Sequence, residues 1–151
     1  MIIIIMILQQ KLVLELAQEP SRWRSVQAIA AAQQLPAPML EQLLIQLRRA
    51  GVLEARRGRM GGYRLARPAA TIAVAQVLQA VGARLDLTTG LEPAGSDSET
   101  PDAELRVLQS MGRRLQGSLD RELALLTLEE LLFDLSSWQE SLENEGGVML
   151  G

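Results

Sequence analysis

"PMLEQLLIQLRRAGVLEARRGRMGGYRLARP", Pro38 to Pro68, decides the fold. Its first half carries Leu40, Leu43, Leu44 and Leu47 at i, i+3, i+4 and i+7, the apolar stripe of an α-helix. Pro38 falls in the first turn, where its missing N–H costs no intrahelical bond, and Gly51 supplies the stop. The opposite face shows Met39, Gln42, Gln46 and Arg49. The second half crowds five arginines and three glycines into the thirteen residues from Arg56 to Pro68. Gly58, Gly61 and Gly62 mark a tight turn between "VLEAR" and "YRLAR", which can alternate as two short strands. Such a hairpin carries positive charge outward.

Upstream, a first helix is expected from about Leu8 to Gln18, with Leu12, Leu14 and Leu16 as its apolar surface, ending before Pro20. Ser25 can cap a second helix to about Gln34, with Val26, Ile29 and Ala30 on one face, and Leu35-Pro36-Ala37 breaks the chain before Pro38. Helix, short turn, helix with a polar outer face, then a basic hairpin is the order of a winged helix-turn-helix. Downstream, "IAVAQVLQAV" forms a helix from about Ile72 to Val81, closed by Gly82, and a loop follows from about Leu87 to Thr100. A long helix is expected from Asp102 to about Leu126, with a shorter one from Thr127. Leu105, Leu108, Leu115, Leu119, Leu123 and Leu126 recur along it at spacings of three, four and seven. Gly112 and Gly117 inside it cost about 1 kcal/mol each relative to Ala, which points to another backbone packing close. Together these six positions from Leu105 to Leu123, Gly112 among them, suggest a dimerisation helix; the alternative is that the stripe covers the chain's own core. The organisation read is a DNA-binding unit over 1–82, a loop over 83–101, dimerisation helices over 102–140 and a disordered tail over 141–151.

Composition agrees with a mostly α fold. With 48% hydrophobic residues but only 3% aromatics in 151 residues, the core must be aliphatic, as in packed helices. There is no Cys and no His, which removes disulfides, thiolate nucleophiles, imidazole bases and the usual ligands of zinc or an iron–sulfur cluster. A single lysine, Lys11, and no Gly-x-x-x-x-Gly-Lys-Ser/Thr run leave P-loop and Schiff-base chemistry without residues, so no enzyme is expected. The acids Asp97, Glu99, Asp102 and Glu104 read as a solvated loop. The opening "MIIIIMIL" lacks a basic flank and falls far short of the roughly 20 apolar residues of a membrane span, so a cytoplasmic location is expected. Charge is divided: residues 1–70 hold ten Lys and Arg against four Asp and Glu, and the remainder five against fourteen. A basic front hidden behind a net charge of −3 suggests a polyanion partner.

Residues 24–82 resemble the Rrf2 family of bacterial winged helix-turn-helix transcriptional regulators, typified by IscR and CymR. The narrowest part of the match is "LEQLL…LRRAGVLEARRGRMGGYRLARP". The resemblance implies a homodimeric DNA-binding regulator, read here as a repressor, with recognition helix 38–50 in the major groove and wing 56–64 at the minor groove. Glu41 would face base edges, where a carboxylate accepts from a cytosine amino group. Arg57 would reach the minor groove. Arg24, Ser25, Pro38, Met39, Gln42, Arg49, Arg56, Arg59 and Arg64 complete the implied DNA surface, the arginines holding phosphates. Tyr63 is expected to pack the wing on the body, and Trp23 and Trp138 to be partial core. The three cysteines by which some members hold a cluster are absent from "LDLTTGLEPAGSDSETPDAE", so no cofactor is expected. The family's opening Thr-Lys-Gly-Arg-Tyr-like segment is replaced by "MIIIIMILQQK", and its phosphate contacts have no matching residues here. The alternative function is a winged-helix module that docks on a protein partner.

Overall fold

The computed structural model describes residues 2–89 and 103–149. In chain order these form α1 (Ile2–Gln18), α2 (Val26–Gln33), α3 (Ala37–Arg49), β1 (Leu53–Arg56), β2 (Gly62–Leu65), a one-turn helix at Ala69–Thr71, α4 (Val74–Ala80), α5 (Ala103–Leu125) and α6 (Leu128–Met149). The loop expected over 83–101, with its acidic residues Asp97 and Glu99, falls largely outside the described residues. No described helix is long and apolar enough to cross a membrane.

The α3 stripe forms the centre of the core. Leu40, Leu43, Leu44 and Leu47 are all buried, against Leu12, Leu16, Ile29, Val52 and Ile72. α2 starts where Ser25 caps it, its Oγ accepting from the Ala28 N–H at 3.1 Å, and it ends at Gln34 in the left-handed region at φ 55°. α3 begins after Pro36, with Pro38 in its first turn. α1 differs from expectation in two ways. It begins at Ile2, and its buried face is Leu12, Val13, Leu16 and Ala17, because a helix cannot bury the alternating set of Leu12, Leu14 and Leu16 on one side.

The hairpin pairs Leu53 with Leu65, Glu54 with Arg64, Ala55 with Tyr63 and Arg56 with Gly62. Two strands alone are marginal, and a third segment braces them: Arg24 and Tyr63 exchange backbone hydrogen bonds of 3.0 and 2.8 Å. This contact requires glycine at the neighbouring position. A Cβ on Gly62, which lies at φ 137°, would come within 2.1 Å of the Arg24 carbonyl oxygen.

α4 is shorter than expected because Ile72 and Ala73 are extended and engage the α5–α6 junction. The Val74 N–H donates to Leu126 O at 2.8 Å, and the Leu128 N–H donates to Ile72 O at 2.9 Å. Leu128 is fully buried in the common core, so residues 1–82 do not close that core alone. Gln116, buried on α5, fastens the start of the following loop: its amide donates to Leu85 O at 2.9 Å and accepts from the Leu87 N–H at 2.8 Å.

Three expectations for the C-terminal half are corrected. The leucines of α5 do not form one seam: Leu105, Gly112, Leu119 and Leu123 lie on the inner side with Gln116, whereas Leu108 and Leu115 face outward with Val107 and Met111. Spacings of three and four had merged two adjacent stripes. Gly117 meets only the Arg121 guanidinium at 3.6 Å, so no other described backbone presses on it. The tail assigned to disorder from 141 continues α6 to Met149, through Gly146 and Gly147.

Candidate nucleic-acid interface

α3 presents Pro38, Met39, Glu41, Gln42, Arg48 and Arg49 to solvent, with Ile45 and Gln46 half-buried beside them. The buried stripe on the other side fixes this face outward. Glu41 makes no ion pair with Arg48 or Arg49.

The five arginines of the wing divide into two groups. Arg67 is a brace: it donates to Thr71 O at 2.9 Å, Gly51 O at 3.3 Å and the Gln76 side chain at 3.2 Å. Arg64 pairs with Glu54 and lies over the Trp23 ring at 4.2 Å. Arg56 lies over the same ring at 4.7 Å and donates to Met60 O at 2.6 Å. Arg57 and Arg59, at the tip, are exposed and make no ion pair or side-chain hydrogen bond among the described residues. The charge available to a ligand is therefore concentrated at the tip.

Between the α2 N-terminus, the end of α3 and the wing lies an open cleft of about 540 Å³ whose walls include Ser25, Gln27, Arg48, Arg56, Arg57 and Arg59. Four arginines and no Asp or Glu line this cleft, so its field favours an anion. The turn of the wing requires glycine at 61, where a Cβ would come within 2.0 Å of the Arg56 carbonyl oxygen.

Several anticipated residues take other parts. Arg24 is only 17% exposed at its side chain and pairs with Glu15 at 2.9 Å, so its guanidinium holds α1 to the wing rather than facing outward. Ser25 spends an oxygen lone pair on the α2 cap while keeping a donor at the cleft. Pro38, Met39, Glu41, Gln42 and Arg49 share the outer face of α3, and Arg56 and Arg64 stand behind the tip. Tyr63 packs on the core as expected. Trp23 is not core but the plate between two arginines, and Trp138 is 69% exposed on α6. Arg48, one of the arginines of the basic front, joins the outer face of α3: it stands seven residues after Glu41, on nearly the same line of the helix.

Comparison with known proteins gives one coherent picture. The family described as Rrf2, iron-dependent transcriptional regulator, matches residues 9–134. The inferred HTH-type transcriptional regulator slr0846 of Synechocystis is 41% identical over 140 residues, spanning 90% of this chain and 89% of that protein. Among solved structures, T. potens IscR superposes with a TM-score of 0.65 at 28% identity, covering 85% of this chain and 82% of that one. Staphylococcus aureus CymR superposes with a TM-score of 0.64 at 26% identity, covering 84% and 93%.

Proposed function

The chain belongs to the Rrf2 family of transcriptional regulators, and from that premise we propose that it is a cytoplasmic, homodimeric repressor that reads a specific duplex sequence. DNA is the partner that the family implies. Glu41 and Gln42 on α3 read base edges in the major groove, with Pro38 and Met39 shaping the contact. Arg57 and Arg59 enter the adjacent minor groove, and Arg48 and Arg49 hold phosphates. The observation that carries this reading is the pair of unpartnered tip arginines facing a carboxylate-free cleft beside the polar face of α3.

The family's description includes iron, and the residues here do not fit an iron centre of the usual kind. The sequence has no Cys or His, and no group of three or more metal-binding side chains gathers among the described residues. We therefore propose a regulator whose DNA binding needs no cluster of its own. Purified protein treated anaerobically with iron and sulfide should gain no cluster absorbance and should bind DNA with unaltered affinity; a stable chromophore would overturn this.

Fluorescence-anisotropy titration against a pool of short genomic duplexes tests the main reading. Selection of particular duplexes is expected. Glu41→Ala should flatten preference at one base pair, a loss of about 1–3 kcal/mol of discrimination, while overall binding to other sequences persists. Retention of no duplex even at low salt would sink the proposal.

A further inference from the structure

The apex of the wing is a single four-residue turn. The Gly61 N–H donates to Gly58 O at 3.1 Å, which makes Arg59 and Met60 the two central residues. Met60 is 80% exposed, more than any other large apolar side chain among the described residues. Among the described residues of α2, α3 and the wing, only Met39, in the first turn of α3, also leaves a large apolar side chain exposed.

The backbone under Met60 is held from behind. Arg56 donates to the Met60 carbonyl oxygen at 2.6 Å, and Arg56 itself lies over the Trp23 ring. Gly61, the next residue, lies so close to the Arg56 and Arg57 backbone that no Cβ fits there. These contacts fix the main chain of the apex and engage no side-chain atom of Met60. The result is an apolar side chain projecting from an anchored turn, beside the unpaired Arg57 and Arg59.

A thioether donates no hydrogen bond and accepts only weakly, so Met60 is not suited to reading a base edge. It offers instead a slim, polarisable, apolar body that adapts to an irregular gap. Methionine is one of the side chains that wedge between bases from the minor groove, and pyrimidine–purine steps open most readily. The two arginines supply the charge that draws the apex to the groove, and the apolar side chain gains when it leaves water between bases.

We propose that Met60 is a wedge: with Arg59 in the minor groove, its side chain enters a pyrimidine–purine step, partly unstacks it and bends the duplex. The inference rests on the DNA-binding reading above and adds to it a means of selection by the wing, through the deformability of a step rather than a hydrogen bond to it.

The probe is the duplex retained most tightly in the anisotropy titration, carrying a donor and an acceptor dye at its ends and 2-aminopurine at each adenine in turn. Binding of the full chain should raise energy transfer between the ends and brighten the 2-aminopurine at a TA or CA step, and replacing that step by AA should weaken binding about fivefold. Met60→Ala should still bind with the parental salt dependence but leave energy transfer and 2-aminopurine emission near those of free DNA, with the step preference lost. Met60→Leu should restore all three. Because the side chain is exposed and the carbonyl stays in place, the fold should be untouched, which the melting temperature checks. Parental bending, brightening and step preference in Met60→Ala overturn this inference alone, as does a parent complex that neither bends the probe nor brightens any base. A parent that retains no duplex overturns it together with the DNA-binding reading.

Discussion

At the residue scale, the wing depends on two contacts whose loss has different signatures. Trp23 lies between Arg56 and Arg64, each within 5 Å of the ring centre, and exposed cation–π contacts contribute about 0.5–1 kcal/mol each. Trp23→Ala should loosen the hairpin, lowering DNA affinity severalfold, and Trp23→Phe should restore most of it; equal affinities across all three proteins would remove Trp23 from the account. Gly62 is stricter. Its Cβ would overlap the Arg24 carbonyl, so Gly62→Ala must break the Arg24–Tyr63 bridge, and melting should show a loss well above the few tenths of a kcal/mol of an ordinary surface change. Gln9 is the converse case. It is fully buried in α1 with neither amide atom bonded, so Gln9→Met should raise the melting temperature by removing an unmet polar group that costs about 1–3 kcal/mol.

At the element scale, Gln116 fastens the loop after α4 to α5. One buried amide ties the Leu85 and Leu87 backbone to α5 and also donates to Asp120 at 2.8 Å. Gln116→Leu should leave the winged body folded but free the loop start, seen as faster hydrogen exchange at Leu87 with little change elsewhere; unchanged exchange there would contradict the assignment. The same elements show what the sequence makes legible. The α3 stripe, the Ser25 cap and the glycine turn are local rules, and each was visible from Pro38 to Pro68 and its flank. The two faces of α5 were not, because leucines three and four apart suit either side of a helix until something packs against one of them. The helical end of α6 was hidden by its glycines, whose propensity reads as a stop. The division of the arginines depended on partners far along the chain, such as Trp23 and Glu15, which no local pattern specifies.

At the scale of the whole molecule, the chain separates its charges: a basic cleft between α2, α3 and the wing, and an acidic α6. Net charge therefore says little about its partner, and the local field says much. The central claim is that Arg57 contacts DNA while Arg67, three hydrogen bonds deep in its own fold, does not. The most direct test is the salt dependence of DNA affinity for the parent, Arg57→Ala and Arg67→Ala, each with its melting temperature. Arg57→Ala should lower the slope of log affinity against log salt by about 1 at unchanged melting temperature. Arg67→Ala should melt earlier yet keep the parental slope while folded. A parental slope in Arg57→Ala, or the same drop in both variants, would contradict the division of the wing into a brace and a DNA-contacting tip.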